Sequence, residues 1–552
     1  MIKTALFFAV LLSVHGILAQ PTKISKEQIA AAERLIDLDF TDAERDSLIG
    51  EAQNYLVSYR AIHGQKLDNS LAPALVFDPI PSDFKPPVAR FKNRLADRLA
   101  LPKGVKLPAN RAELAFYSLP QLASLLKNKQ ITSVELTKFY LDRLKKYGDT
   151  LHCVINLTED IALREAAKAD AEIQKGKWRG LLHGIPYAAK DLFSVKNTRT
   201  TWGAKPFEQQ TIDADAAVIQ NLRAAGAVLI AKLSMGSLAM GDIWFGGRTR
   251  SPWDLTRGSS GSSAGSAAAT AAGLVPFALG TETLGSIVSP STACGTTGLR
   301  PTFGRVNRSG AMALSWSMDK IGPITRSAED AAIVFDAIHG TLGGDKSVRA
   351  RLPFDYDGKV DWSKLKIGYA KNIFDTLSKT RNEWRTLETL EKLGAKLTPF
   401  TWKVTVPMRI TTVILESEAA AAFDEMTRTN LDDELTDQSK RAWPNAFRAA
   451  RFIPAVEYIN ANRLRTRLIE ETAAILRGFD CVIFPNFEGD VLQITNLTGN
   501  PTVVVPNGFR DGRPTTVSFI GNLFDEATIL AVAKAFQDAT DFDEQHPVFF
   551  KK

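Results

Sequence analysis

The chain has 552 residues, 45% of them hydrophobic and 23% charged, which is the balance of a globular protein with room for a large core. Its formal charge of +7 comes from 68 basic and 61 acidic residues, which are spread along the chain rather than clustered. So small an imbalance gives no support to a nucleic-acid partner. The three cysteines are too few, and odd in number, for a disulfide framework, and with the six histidines they form no metal-ligand pattern.

The N-terminus has the pattern of an export signal. Lys3 gives a short positive start, Ala5 to Leu18 is almost wholly apolar, and Ala19-Gln20-Pro21 offers a small-residue cleavage point. The alternative is a membrane anchor, but the apolar run falls short of the roughly 20 residues that a spanning helix needs. We therefore expect a signal peptide over residues 1–20, an exported (periplasmic or secreted) protein, and no membrane span after cleavage.

The rest of the chain divides into an extension and a main body. Residues 21–112 are a polar extension with helical patches at Lys26–Ile36 and Asp42–His63, followed by the proline-rich stretch FDPIPSDFKPPV. The main body covers residues 113–552, with a less regular, variable section at about 342–438.

Short apolar strands alternate with amphipathic helices in the main body, which predicts a layered α/β domain. Ser118 begins a helix through Lys127, and the capping box Thr132-Ser133-Val134-Glu135 begins the next helix. The other predicted elements are helix 158–175, the apolar run 184–189, helix 214–225, strand 227–231, strand 365–370, helix 383–393, helix 455–477, strands 479–485, 502–506 and 516–520, and helix 526–539.

Lys190 is the first candidate for chemistry, because it ends the apolar run. A lysine that is desolvated there has a lowered pKa, so its neutral amine becomes available as a base. The alternative is a structural strand-end lysine that is paired with Asp191 or solvated.

Two serine-containing loops, Gly258–Ser266 and Gly280–Ser286, supply the other candidates. The first contains a G-x-S-x-G pattern centred on Ser263, but that nucleophile elbow requires a buried strand before it, and SPWDLTR is not one. In the second, successive amides can converge on an oxyanion next to Ser286 as the attacking group. No histidine is close in sequence to either loop, so a lysine that acts through a second hydroxyl would have to replace it.

Several segments resemble the amidase signature family. They are HGIPYAAKDLF, RGSSGSSAGSAAATAAGLVPFALGTETLGS, CGTTGLRPTFGR, and, near the C-terminus, FDCVIFP, TNLTGNPTVVVP and LFDEATILAVAKAF. The resemblance covers well over half the chain, with the motifs in the family's order. It implies an α/β/α sandwich with a large mixed sheet covered by helices.

The resemblance also implies a catalytic triad and its chemistry. Lys190 matches the family's lysine, Ser262 the bridging serine after a cis peptide bond, and Ser286 the nucleophile. The backbone amides of Thr283, Leu284, Gly285 and Ser286 would form the oxyanion hole. The implied reaction is hydrolysis of a small-molecule amide through an acyl-enzyme, without metal or cofactor.

The chain departs from the family pattern at several positions beside the implied site. Leu284 stands where a glycine is usual, and Glu282 replaces the common aspartate. Ile287-Val288-Ser289 stand where an arginine often follows the nucleophile, so one anchor for a substrate carboxylate is missing. Ser237 stands where many members have glutamate, and we place the substrate contacts at Met235, Gly236 and Ser237.

Three other functions remain open, and the chain could also form a homodimer. An esterase with Ser263 as nucleophile would need His339 or His546 as its base. A member that only binds a ligand would not need the three triad residues, which are all present. A component of the tRNA-dependent amidotransferase is compatible with the family, but the export signal argues against it.

Overall fold

The structure is a computed structural model that describes residues 23–91, 94–340, 343–348 and 352–551. The predicted signal peptide, residues 1–20, lies outside the described residues. The chain divides into two compact units between Leu67 and Asp68. In the first unit, both predicted helices are confirmed, and each begins with a capping box, at Ser25 and Thr41. Residues 68–112 of the predicted extension belong to the second unit.

Fifteen strands are present in the described residues, all of them in the second unit. In chain order they are β1 (Val154–Leu157), β2 (Pro186–Lys190), β3 (Val228–Leu233), β4 (Ile243–Trp244), β5 (Gly247–Arg248), β6 (Arg250–Ser251), β7 (Asp254–Gly258), β8 (Ala278–Glu282), β9 (Thr297–Arg300), β10 (Lys320–Thr325), β11 (Ile367–Ala370), β12 (Leu397–Phe400), β13 (Cys481–Pro485), β14 (Thr502–Arg510) and β15 (Arg513–Gly521).

Eleven of these strands form one mixed sheet. Its order is β1-β3-β2-β8-β10-β9-β14-β15-β13-β11-β12, while β4 pairs with β5 and β6 with β7 in two small ribbons. β2 is parallel to both of its neighbours, β3 and β8, whereas β10 is antiparallel to β8 and β9. Because β2 and β8 are parallel, their carboxyl ends lie at the same edge of the sheet. The large mixed sheet implied by the resemblance is confirmed.

Eighteen α-helices alternate with the strands in the described part of the chain. They are α1 (Lys26–Leu35), α2 (Asp42–His63), α3 (Leu95–Arg98), α4 (Leu119–Lys127), α5 (Ser133–Leu151), α6 (Glu159–Gln174), α7 (Ala217–Ala225), α8 (Ala264–Ala271), α9 (Val288–Cys294), α10 (Ala328–Ile338), α11 (Lys371–Phe374), α12 (Asn382–Lys392), α13 (Ile410–Ala422), α14 (Asp424–Arg428), α15 (Trp443–Ala450), α16 (Ala455–Leu476), α17 (Val491–Thr498) and α18 (Glu526–Asp538). No described helix is both long and apolar enough to cross a membrane.

Local sequence explains where the helices begin and which of them lie deepest. The predicted capping box at Thr132 is formed, since its hydroxyl accepts from the amide of Glu135 and the Glu135 carboxylate accepts from the amide of Thr132. α8 contains only small residues, AGSAAATA, and every one of them is buried. Because small side chains let backbones approach closely, α8 packs directly on β2, β3, β8 and β10. It thereby brings the serine loop before it next to the end of β2.

Candidate active site

Lys190, the last residue of β2, is fully buried and has three hydroxyl neighbours. Its Nζ lies 2.8 Å from Ser262 Oγ, 2.8 Å from Thr281 Oγ1 and 3.2 Å from Ser263 Oγ. Burial lowers the pKa of Lys190 to about 7, although the carboxylates of Asp319 and Glu282 act in the opposite direction. The structure therefore places at this point a lysine that is substantially neutral near physiological pH.

Ser262 lies in the loop between β7 and α8. The Gly261-Ser262 peptide bond is cis, as the resemblance implied. An added Cβ at Gly261 would lie 1.7 Å from the carbonyl oxygen of Gly241, so only glycine fits there. Ser262 itself is fully buried, and its carbonyl oxygen accepts a hydrogen bond from the amide of Gly236 at 3.2 Å. The backbone of the predicted substrate stretch thus contacts the predicted bridging serine.

Ser263, the centre of the elbow pattern, is tied to β8. Its hydroxyl donates to the carbonyl oxygen of Thr281 and accepts from the amide of Thr281, both at 3.1 Å. The preceding strand, β7, is a partly exposed strand of a small ribbon rather than a core strand. His339 stacks on Phe335, and His546 stacks on Phe116. Neither histidine contacts Ser263 through a described hydrogen bond, so the contacts of an elbow nucleophile are not formed.

We call Gly280–Ser286 the nucleophile loop, because it runs from the end of β8 through the turn to Ser286, the predicted nucleophile. Ser286 is 7% exposed, and its backbone carbonyl oxygen accepts a hydrogen bond from the amide of Ser263 at 3.2 Å. The two serine loops are therefore bonded to each other through their backbones. Among the hydrogen bonds of the described residues, none has the amide of Leu284, Gly285 or Ser286 as its donor. Three successive amides are thus free to bind an oxyanion.

Glu282 binds the backbone that directly follows the nucleophile loop. Its Oε2 accepts from the amides of Ile287 and Val288 at 2.9 and 3.0 Å. Its Oε1 accepts from Arg300 Nη1 at 2.8 Å and from Asn496 Nδ2 at 2.7 Å. Burial alone would raise the pKa of Glu282, but Arg300 and these hydrogen bonds outweigh it and lower the pKa to about 2. The carboxylate is therefore ionised and fixes the chain on both sides of Ser286.

Asp319, which directly precedes β10, supports the same loop from another direction. Thr283 Oγ1 donates to Asp319 Oδ1 at 2.5 Å, while Asp319 Oδ2 accepts from the amides of Leu314 and Ser315 at 2.8 and 3.0 Å. Burial raises the pKa of Asp319, and its hydrogen-bond donors partly oppose that change. The first predicted oxyanion residue, Thr283, is thereby fixed by a side chain 36 positions further along the chain.

The two residues that follow the predicted substrate stretch have a strained backbone. Directly after Met235, Gly236 and Ser237, residues Leu238 and Ala239 adopt left-handed conformations with φ of 47° and 65°. Such conformations are costly for residues other than glycine and concentrate at functional sites. Trp443 Nε1 donates to the Leu238 carbonyl oxygen at 2.9 Å. Ser237 is 9% exposed, its hydroxyl has no hydrogen-bond partner among the described residues, and it lines a cavity of about 90 Å³. Of the three predicted contacts, Ser237 is the one that lines this cavity.

Three residues of the site were not given a role from the sequence. Thr281 contacts Lys190, Asp319 holds Thr283, and Arg300 pairs with Glu282. Thr281 lies in the loop Gly280–Ser286, and Arg300 lies in the segment CGTTGLRPTFGR. The sequence therefore places both residues in the motifs of the site but does not indicate which side chains they contact. In the described part of the chain, no group of three or more His, Cys, Asp or Glu side chains is arranged to hold a metal ion.

Comparison with known proteins gives consistent matches in sequence and in structure. The family model described as Amidase matches residues 135–494. A glutamyl-tRNA(Gln) amidotransferase subunit of Coxiella burnetii is 34% identical over 479 residues, covering 78% of this chain and 99% of the relative. The same subunit of Geobacillus kaustophilus is 34% identical over 480 residues, with 78% and 99% covered. The structure of the peptide amidase from Stenotrophomonas maltophilia superposes with a TM-score of 0.70 at 28% identity, covering 77% of this chain and 97% of the amidase.

The chain belongs to the amidase signature family. The α/β fold predicted from the resemblance is confirmed by this match to solved amidase structures. As a member of the family, the protein is an enzyme of a class that acts on amide C–N bonds. Lys190, Ser262 and Ser286 all lie within the matched residues, whereas residues 68–134 of the second unit precede the family match.

Proposed function

We propose that the protein hydrolyses a carboxylic amide to an acid and ammonia or an amine, through an acyl-enzyme on Ser286. The observation that carries the proposal is the position of Lys190. Its fully buried amine has a pKa of about 7 and lies 2.8 Å from the hydroxyl of Ser262. A lysine with this pKa can act as a base at neutral pH, which an exposed lysine cannot.

A neutral amine can form all three of the hydrogen bonds around Lys190. An uncharged –NH₂ group has two N–H donors and one lone pair. The hydroxyl proton of Ser263 is already donated to the Thr281 carbonyl oxygen, so Ser263 Oγ must accept from Lys190. The second N–H can be donated to Thr281 Oγ1. The lone pair then faces Ser262, whose hydroxyl can donate to it.

The reaction proceeds in two halves. Lys190 accepts the proton of Ser262 while Ser262 accepts the proton of Ser286, and Ser286 Oγ forms a bond to the carbonyl carbon. The amides of Thr283, Leu284, Gly285 and Ser286 stabilise the oxyanion. The C–N bond breaks as the relay returns the proton to the leaving nitrogen. Water then attacks the acyl-enzyme, with the same relay accepting its proton, and the acid is released.

The substrate we propose is a neutral, partly apolar amide. Ile287-Val288-Ser289 follow the nucleophile, so no cation there can anchor a substrate carboxylate. In the predicted substrate stretch, Met235 is fully buried, while Ser237 lines the cavity of about 90 Å³ with a hydroxyl that has no hydrogen-bond partner among the described residues. Ser237 thus brings a neutral polar group, and not the charge of a glutamate, to this cavity.

A second candidate is the glutaminase half of an amidotransferase. The 34% identity to relatives named as glutamyl-tRNA(Gln) amidotransferase subunits favours it. L-glutamine carries an α-carboxylate and an α-ammonium group, so the two candidates differ in substrate charge. Comparing kcat/KM for L-glutamine with that for aryl, aliphatic and peptide amides separates them, and we expect the neutral amides to be preferred.

Serine replacement tests the proposed nucleophile. Ser286→Ala should lower amide hydrolysis roughly 10⁴-fold or more, because the acyl-enzyme cannot form. Ser263→Ala is the matched control from the elbow pattern and should retain measurable turnover. Full activity in Ser286→Ala together with loss in Ser263→Ala would favour an elbow esterase. Equal inactivity of the wild-type protein and both variants on every amide would favour a ligand-binding member.

We also propose that the protein is exported, with residues 1–20 as the signal peptide. The positive start at Lys3, the short apolar run and the small residue Ala19 support this proposal. A homodimer remains compatible with it and can be tested by sedimentation of the mature protein.

A further inference from the structure

A second, larger cavity adjoins the nucleophile loop. It has a volume of about 290 Å³ and lies between that loop and the segment Asn69–Val76. Thr281 and Thr283 both line it, and these are the residues that contact Lys190 and Asp319. The cavity therefore reaches these two residues of the nucleophile loop from a part of the chain that precedes the family match at residues 135–494, while Lys190, Ser262 and Ser286 are not among the residues that line it.

The wall of this cavity is mainly apolar. Leu71, Leu75 and Val76 contribute from the segment, and Leu192, Met312 and Ile321 contribute from the core. A ligand that lies against these side chains would be apolar.

The charged groups in the buried part of the wall already have partners within the protein. Arg308 pairs with Asp345 at 2.9 Å, and Asp319 is occupied by Thr283 and two amides. Burial sets the pKa of Lys320 well below its usual value, and its Nζ already donates to the Met318 carbonyl oxygen. Lys346 is exposed and can keep its ammonium group in water. The cavity thus favours an uncharged ligand.

The segment is fixed at one end and leaves apolar side chains uncovered at the other. Asn69 Nδ2 donates to the Ala313 carbonyl oxygen at 2.9 Å, and Asn69 Oδ1 accepts from the Ala313 amide at 2.8 Å. Beyond this clamp, Leu71 and Leu75 remain 62% and 86% exposed. Leu71 and Leu75 thus extend the apolar wall of the cavity to the solvent.

We propose that the segment Asn69–Val76 forms one wall of the substrate pocket and binds the apolar, uncharged part of the amide. This inference rests on the proposed function, because its occupant is the substrate. It assigns the selection of apolar substrates to a segment outside the family match. Because Thr281 both lines this cavity and contacts Lys190, a ligand in the cavity would lie next to the group proposed to accept the proton.

Binding can be measured without turnover in the Ser286→Ala protein. Two homologous series are titrated by calorimetry: anilides with a lengthening acyl chain, and acetamides with a lengthening N-alkyl chain. Each buried methylene should lower Kd about fourfold until the cavity is full, in the series whose variable end enters it. No dependence of Kd on length in either series would overturn the inference.

The wall itself is tested by replacing its two exposed leucines. Leu71→Ser/Leu75→Ser should raise Kd for the long members roughly tenfold and leave the shortest member unchanged. Val88→Ser is the control, since Val88 is as exposed as Leu75, at 86%, and lies outside this cavity. Equal Kd values in the leucine and Val88 variants would overturn the inference. Failure of the proposed function appears separately, as absence of amide turnover in the wild-type protein whatever the binding results.

Discussion

Glu282 and Arg300 form an ion pair of 2.8 Å in which both side chains are fully buried. Arg300 enters from the end of β9, so the cation comes from another strand and not from the residues that follow Ser286. The same carboxylate accepts the amides of Ile287 and Val288. The pair thus connects the turn after the predicted nucleophile to the centre of the sheet.

Arg300→Leu should destabilise the protein strongly. It leaves Glu282 buried and unpaired, which costs about 3–5 kcal/mol in the free energy of unfolding. Denaturant unfolding measures this change. Arg257→Leu is the matched control, because Arg257 is 60% exposed and its 3.3 Å contact with Asp254 is worth at most about 1 kcal/mol. A loss below about 1 kcal/mol in Arg300→Leu would contradict the structural role of the pair.

The rate of amide hydrolysis should rise with pH through about 7. Lys190 has a pKa of about 7 in the folded protein and must be neutral to accept a proton. The activity is therefore lost below that pH and reaches a plateau above it, as measured by kcat/KM from pH 5 to 9. A profile that is flat across this range would contradict Lys190 as the base.

The same pKa shift predicts a pH dependence of stability. Between about 7 and 10.5 the unfolded chain keeps a proton on Lys190 that the folded protein has lost. The contribution of Lys190 to stability therefore increases as the pH rises through that window. Against Lys190→Met, which does not titrate, the wild-type protein should gain stability from pH 7 to 10. A constant difference between the two proteins would show that the lysine is not titrating there.

Gly285→Ala should impair catalysis more than folding. Gly285 has φ of 83°, and an added Cβ would lie 3.0 Å from Leu492 Cδ2, so the free amides on either side would move. We expect kcat to fall roughly tenfold or more, since one oxyanion donor is worth about 10²–10³ in kcat. Gly104→Ala is the control, because Gly104 has φ of 73° with no atom within 4 Å of an added Cβ. Similar kcat values in the two variants would argue against an oxyanion role for this loop.

Much of the fold and the chemistry could be predicted from the sequence, because those features are encoded locally. Capping boxes and apolar periodicity placed the helices that begin after Thr132 and Ser118. The order of the motifs identifies Lys190 and Ser262 as site residues, and the structure places Lys190 Nζ 2.8 Å from Ser262 Oγ. The Gly-x-Ser-x-Gly pattern by itself favours Ser263, but it lacks the preceding buried strand, and the family resemblance assigns the roles to Ser262 and Ser286.

The rest depends on long-range strand pairing, which the sequence does not display. Asp319 meets Thr283 because β8 and β10 run antiparallel with Glu282 opposite Lys320. Arg300 meets Glu282 through the neighbouring position of β9. In the variable section, strand β12 and helix α13 were not predicted, since the pattern there is irregular. β12 is stabilised by its parallel pairing with β11, which is a contact between distant positions that the local sequence does not indicate.

The N-terminus should be processed on export. In a bacterial host with a functional secretion pathway, the intact mass should correspond to a mature chain that begins at Gln20 or Pro21. Leu11→Asp/Leu12→Asp interrupts the apolar run and should keep the uncleaved protein in the cytosol. An uncleaved wild-type protein in the cytosol would contradict the export proposal.

The most direct test of the proposed mechanism is covalent labelling of the nucleophile. The purified protein is treated with a fluorophosphonate, digested, and the modified peptide is sequenced by mass spectrometry. We expect one label, on Ser286, formed faster above pH 7 than below it, and abolished in Ser262→Ala and Lys190→Met. A label on Ser263, or no label on an active protein, would contradict the assignment of Ser286 as the nucleophile.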